Sequence, residues 1–177
     1  MGFWSDWQAA RDRRRRVAIY LSHVLRDPDP AHLRWLSELT GEASRAGREL
    51  AFVRRAVGLI VADRDALDDR TAADVAHQLA PMIASEARQN AEAGREWNAR
   101  WRAYTAALAV RGSTDVPAAR LARVLLEGAG ASNPSFDDLQ RATEVVHQHR
   151  GGLNEALRAA FGDAALPEDV RPSALRH

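Results

Sequence analysis

Apolar and polar positions follow the three-to-four-residue spacing of α-helices along almost the whole chain. The first such segment runs from about residue 4 to residue 26, and this spacing predicts a helix that is packed along its length. The sequence Asp27-Pro28-Asp29-Pro30 ends it, because a residue before proline avoids the α region. Its seam, interrupted only by Arg14, consists of Phe3, Trp7, Ala10, Val17, Leu21 and Val24.

The second segment, about residues 31–62, has the most regular apolar pattern in the chain. Glycine is costly inside a helix, so Gly41 and Gly47 indicate a slim region that suits a closely approaching neighbour. The alternative is a break in the helix near Thr40-Gly41. The seam positions are Leu36, Leu39, Ala43, Ala46, Leu50, Val53, Val57 and Ile60.

The third segment, about residues 71–111, follows a polar connector at residues 63–70. Pro81 favours a kink in this helix, although the break could lie elsewhere. Its two apolar stripes are Ala76, Leu79 and Ile83, and then Trp97, Trp101, Tyr104 and Leu108.

We expect the second and third segments to fold back on each other at the connector and form a long antiparallel helical hairpin. In this arrangement small residues face small ones and aromatic residues face aromatic ones. The first segment would complete a three-helix bundle. The expected neighbours are Ile60 with Val75 or Leu79, then Ala43, Ala46 and Gly47 with Ala87, Asn90 and Ala91, and finally Trp35 and Leu36 with Trp97 and Trp101.

The C-terminal part has shorter periodic stretches. One helix is expected from Pro117 to about Glu127, a second one after Ser135 that Gly151-Gly152 ends, and a last one from Leu153. The fold class predicted is therefore all-α. Its parts are an elongated three-helix bundle over residues 1–112, short helices packed on or beside it over residues 113–165, and a flexible tail over residues 166–177.

Composition narrows the class of protein. The 177 residues are 46% hydrophobic and 28% charged, as in folded globular proteins. The absence of cysteine excludes disulfides, iron–sulfur clusters, thiolate zinc sites and a cysteine nucleophile. No signal peptide and no apolar run of about 18 residues is recognisable. We expect a cytoplasmic protein with no transmembrane span, for which a membrane is a less favoured partner than a protein or a nucleic acid.

The most conspicuous charge feature is an arginine run near the N-terminus. All 25 basic residues are arginine, which indicates the codon bias of a GC-rich, bacterial genome. The run could clamp phosphates while tryptophans stack on bases, or lie on anionic lipid. It could equally be a solvated face, paired with glutamates of neighbouring helices. The residues of this candidate nucleic-acid or anionic patch are Trp4, Trp7, Arg11, Arg13, Arg14, Arg15 and Arg16.

Aromatic residues suggest a second candidate site. Trp97 and Trp101 are four residues apart and therefore share a helix face. Together with Trp35 and Tyr104 they form a candidate interface for a protein partner or a second copy of the chain, because aromatic residues dominate such interfaces. Packing inside the protein's own core is the alternative.

Candidate chemistry is sparse. No nucleophile, phosphate-loop or metal motif is recognisable, so we predict no catalytic, cofactor-binding or metal-ligating residue. His147 and His149 are two positions apart on a helix and point to different sides, so they cannot chelate one ion. An enzymatic reading would need a pocket between Trp97, Trp101, Tyr104 and the C-terminal helices.

These observations favour a non-enzymatic helical interaction protein, such as an adaptor, an assembly factor or a subunit of a larger complex. The alternative is a small helical nucleic-acid-binding subunit that uses the patch at Arg11–Arg16.

Overall fold

The computed structural model describes residues 2–65, 69–110 and 114–162, apart from the side chains of residues 2–6, 69, 70 and 93. Within these ranges the chain forms helices and no strand, which confirms the all-α prediction. None of the described helices is long and apolar enough to cross a membrane. The tail predicted at residues 166–177 lies outside the described residues. The helices are α1 (Gly2–Val24), α2 (Pro30–Thr40), α3 (Ala43–Asp65), α4 (Asp69–Gln89), α5 (Ala91–Ala109), α6 (Pro117–Ala129) and α7 (Phe136–Phe161).

The second periodic segment is broken into α2 and α3, which is the alternative that the glycine pattern left open. Gly41 has a φ of +73°, in the left-handed region that glycine tolerates, and its amide donates to the Ser37 carbonyl at 2.8 Å. The third segment is also broken, but not at Pro81, which lies inside α4. The break falls at Asn90, whose Oδ1 accepts a hydrogen bond from the Glu92 amide at 3.1 Å and so caps α5.

The expected helix end at Gly151-Gly152 is wrong. α7 continues through both glycines for 26 residues, so the C-terminal part contains the longest helix of the described chain rather than only short ones. His149 on one side of the pair and Leu153 on the other are buried. Burial of this continuous face offsets the local cost of two glycines, which is about 1 kcal/mol each.

The core is a single cluster to which every helix contributes, and α7 packs against α1, α3 and α6. α3 runs antiparallel to α4 and α5, because Arg55 pairs with Glu86 of α4 at 2.7 Å and Arg48 pairs with Glu96 of α5 at 3.2 Å. The N-terminal half of α3 therefore lies beside α5.

The contacts across these helices differ from the expected ones. Trp35 lies under the guanidinium of Arg141 in α7, 5.0 Å from its ring centroid, and not beside Trp97. A Cβ added to Gly47 would lie 3.5 Å from Leu33 of α2, so the slim zone faces α2 rather than Ala91. Both differences have one cause. The break at residues 41–42 lets α2 fold back onto α3 instead of extending beside α5.

α1 approaches α3 closely along its C-terminal half. The Tyr20 hydroxyl donates to the Gly58 carbonyl at 2.7 Å, and a Cβ on Gly58 would lie 2.8 Å from Val24. Gly58 is therefore required by the close packing of two helices.

Candidate interaction site

The N-terminal half of α1 projects beyond the core. Each residue from 7 to 16 is exposed, with Trp7 at 52%, whereas Val17 is completely buried. We call residues 7–16 the α1 arm. The prediction that this helix is packed along its length is therefore wrong for its first half. The seam spacing continues through Trp7, Ala10 and Arg14, but no neighbouring helix covers those positions.

The α1 arm carries its positive charge almost unpaired. Arg13 lies 3.8 Å from Asp74 of α4, and both side chains are more than a third exposed, so this contact is weak. The side chains of Arg14, Arg15 and Arg16 form no hydrogen bond or ion pair with any described residue. Neutralisation by glutamates of neighbouring helices is therefore not observed for these three arginines.

Two aromatic residues belong to the same candidate patch. The Arg11 guanidinium lies over the Trp7 ring, 5.6 Å from its centroid, which is within cation–π range. The predicted contribution of Trp4 falls outside the described side chains. The structure thus brings Trp7 and the arginines together on one exposed helix.

Most of the four aromatic residues of the second candidate site are buried in the protein core. Trp97 is 6% exposed and packs between Phe52, at a centroid distance of 5.6 Å, and Trp101, at 6.0 Å. Trp35 is 7% exposed and Tyr104 is completely buried. A partner that contacts the folded chain therefore reaches only Trp101, which is half-buried, among these four.

A buried polar cluster joins α3, α5 and α6. Arg100 donates from Nε to Glu49 Oε1 at 2.9 Å, and its Nη2 donates to the Val124 carbonyl. The Tyr104 hydroxyl donates to the same carboxylate oxygen. Burial raises the pKa of Glu49, and the hydrogen bond from Tyr104 and the charge of Arg100 offset part of that rise. The cluster satisfies buried polar groups at the junction of three helices.

Sequence reasoning missed this cluster, although one signal was present. Glu49 lies three residues after Ala46 and four before Val53, both of which are seam positions. A helical wheel therefore places Glu49 on the buried face of α3. Since a carboxylate is rarely buried without a partner, this position predicts a positively charged or hydrogen-bonding side chain from another helix.

Gly128 makes room for the cluster. A Cβ at this position would overlap the guanidinium of Arg100 and the carboxyl carbon of Glu49. The Gly128 carbonyl also accepts a hydrogen bond from Arg45 Nε at 2.7 Å. α6 can approach the Glu49–Arg100 pair only because this residue has no side chain.

The buried cluster of Glu49, Arg100 and Tyr104 is poorly placed for catalysis. Glu49 is 1% exposed and Tyr104 is completely buried, so a substrate cannot reach either group in this conformation. The open groove that Trp97 helps to line, about 650 Å³ in volume, lies along α4 and α5, and Glu49 does not line it. No residue of α6 or α7 lines this groove, so it is not the pocket toward the C-terminal helices that the enzymatic hypothesis requires.

A second buried polar group is His149, which is 5% exposed and whose Nδ1 has no hydrogen-bond partner in the described part of the chain. Its ring lies 6.2 Å from that of His32. Burial, with a smaller effect of Arg54, lowers the pKa of His149 to about 4. His147 is exposed, so the two histidines lie on different sides of α7. Among the described residues no group of three His, Asp or Glu side chains could hold a metal ion.

No family model, curated protein or solved structure matches this chain at a significant level.

Proposed function

We propose that the protein is a non-enzymatic helical interaction protein, such as an adaptor, an assembly factor or a complex subunit, and that the α1 arm is its binding element. The observation that carries this proposal is the exposure of ten consecutive residues of one helix on every face. None of these residues is buried, and Arg13 alone forms an ion pair with another described helix, so stabilisation of the fold accounts poorly for them.

The α1 arm is well suited to binding because it is held ready as a helix. An isolated helix of ten residues is unstable in water, mainly because its first turn is costly to form. In this chain the buried half of α1, from Val17 onward, supplies that first turn. The arm then needs only propagation through arginine and alanine, which are good helix formers. A partner therefore has less conformational entropy to remove on binding.

The positive charge of the α1 arm favours a negatively charged partner. Five arginines and one aspartate give it a net charge of +4, and three of the arginines form no ion pair with any described residue. An acidic protein surface or a nucleic acid would supply that charge. Trp7 adds an exposed aromatic surface of the kind found at the centre of interfaces.

Native mass spectrometry of the protein isolated gently from its own host tests the proposal. We expect a defined mass above that of the monomer, and we expect it to disappear when Arg14, Arg15 and Arg16 are changed to glutamine. A control variant with glutamine at Arg88, Arg102 and Arg158 removes the same charge from exposed positions outside the arm. It should keep the complex. A monomeric native protein, or equal loss in both variants, would contradict the proposal.

A further inference from the structure

We infer that the partner of the α1 arm is double-stranded DNA, and that the arm lies in the major groove between two rows of phosphates. This inference rests on the proposed function and names the class of partner for the same site. Three features support it, namely the distribution of arginine around the helix, the width of the helix, and the charge of the remaining chain.

The arginines of the α1 arm surround the helix. With 3.6 residues per turn, Arg11 and Arg13 to Arg16 leave no gap wider than about 100° around the axis. A flat surface contacts one side of such a helix and leaves the other guanidinium groups unpaired. A groove with phosphates on both walls contacts opposite sides together.

A membrane surface is disfavoured for the same reason. A helix that lies in the lipid interface needs one continuous apolar face. In the α1 arm the seam position between Ala10 and Val17 is occupied by Arg14, and Arg11 and Arg13 lie on either side of it around the helix. Every orientation of the arm would place a guanidinium toward the acyl chains.

The dimensions distinguish DNA from double-stranded RNA. An α-helix with its side chains is about 10–12 Å wide, and the major groove of B-form DNA is about 12 Å wide. The major groove of A-form RNA is too deep and narrow for side chains to read. The arm is about 15 Å long, which corresponds to roughly four base pairs.

The charge of the remaining chain favours the α1 arm as the place where DNA binds. The total net charge is +1 and the arm accounts for +4, so all other residues together carry −3. Asp74 of α4 also lies 3.8 Å from Arg13 and adds a negative charge beside the arm. The rest of the protein therefore has a net charge that repels DNA, and the arm supplies up to five arginine–phosphate contacts.

The number of arginine–phosphate contacts predicts how strongly the affinity for DNA depends on salt concentration. Each neutralised phosphate contributes about −0.9 to the slope of log K against log salt concentration. Four or five contacts predict a loss of affinity of about 150- to 500-fold between roughly 50 and 200 mM salt. Two contacts predict a loss of only about 10-fold.

The experiment is fluorescence anisotropy of a labelled DNA duplex of roughly 20 base pairs with the full chain over this salt range. We expect the steep dependence for the native protein and for the control R88Q/R102Q/R158Q. We expect the shallow dependence and much weaker binding for R14Q/R15Q/R16Q, which circular dichroism should show to be folded. Guanine N7 lies in the major groove, so protein bound there should protect it from methylation.

Competitor probes decide between classes of partner. Unlabelled duplex DNA should displace the labelled duplex at lower concentration than double-stranded RNA, polyglutamate or vesicles of phosphatidylglycerol and phosphatidylcholine. Equal competition by any of these, no binding at the lowest salt concentration, or no effect of R14Q/R15Q/R16Q would overturn the inference.

The two proposals fail separately. If DNA does not bind but the arm variant loses a protein partner in native mass spectrometry, the inference is wrong and the proposed function stands. If deoxyribonuclease, but not ribonuclease, removes the excess mass from the native complex, both are supported. If neither assay depends on the α1 arm, both are wrong.

Discussion

Arg100 of α5 and Glu49 of α3 form the most deeply buried ion pair of the described chain, with Nη2 and Oε1 2.8 Å apart. Glu49 is almost inaccessible to solvent, whereas Arg100 retains 16% side-chain exposure. The pair connects two helices inside a core that is otherwise mostly apolar. Several stability measurements test this cluster and its surroundings.

Changing Glu49 to glutamine should lower the free energy of unfolding by about 3 kcal/mol, because Arg100 then loses its buried counter-charge. We expect the lower end of the usual range, since Arg100 keeps its hydrogen bond to the Val124 carbonyl. Urea denaturation near neutral pH measures the change. The matched control is Glu96 to glutamine, which removes an exposed pair with Arg48 and should cost less than about 1 kcal/mol. Equal losses for both variants would contradict this role of Glu49.

Two glycine-to-alanine substitutions in helices should have opposite effects. At Gly128 the new Cβ would overlap the Glu49–Arg100 pair, so we expect a loss of about 2–4 kcal/mol. At Gly152 no atom lies within 4 Å of the new Cβ, and the higher helix propensity of alanine should stabilise α7 by about 0.5–1 kcal/mol. Thermal unfolding of both variants provides the measurement. A stabilising G128A would show that α6 does not approach the pair as closely as described.

The lowered pKa of His149 should make the native state sensitive to acid. In the unfolded chain the imidazole takes up a proton near pH 6.5, but in the folded chain only near pH 4. This contribution to stability is complete above pH 6.5 and falls as the pH drops toward 4, by up to about 3 kcal/mol. In His149→Leu the decline over this pH range should be smaller by that amount. Urea denaturation at several pH values compares the two proteins, and identical declines would rule out the lowered pKa.

Leu21 and Trp7 occupy the same predicted seam of α1 but should differ in energetic importance. Leu21 is 3% exposed, so Leu21→Ala should cost about 2–5 kcal/mol. Trp7 is 52% exposed, so Trp7→Ala should change the free energy of unfolding by less than about 0.5 kcal/mol. Chemical denaturation of the two variants tests whether the α1 arm lies outside the cooperative core. A large loss of unfolding free energy in Trp7→Ala would show that the arm belongs to the cooperative core.

The helix breaks show where local sequence signals were sufficient and where they were not. Gly41 tolerates a left-handed conformation, so a break there could be anticipated from the residue type. Pro81 and the pair Gly151-Gly152 also disfavour helix, yet α4 and α7 continue through them. For α7 the reason is burial on both sides of the glycines, which depends on contacts with distant parts of the chain.

The candidate sites show the same division. The arginine run is evident from the sequence alone. The apolar spacing of α3 also indicates that Glu49 is buried and needs a partner. That Arg100 is this partner could not be read, because it lies 51 residues away on a helix whose register depends on the break at Asn90. The burial of Trp35 against α7 depends likewise on α2 folding back at Gly41.

The sequence by itself determined that the chain is helical and which face of most helices is apolar, because these properties depend on residues three or four positions apart. It also determined where positive charge concentrates, because that depends only on residue type. Only the tertiary structure decided which apolar faces are covered. The seam of α1 has one spacing from Trp7 to Val24, but neighbouring helices bury it only from Val17 onward. The lengths and breaks of the other helices determine how much of α1 they cover. The part of α1 that they do not cover has the same apolar spacing but is exposed to solvent.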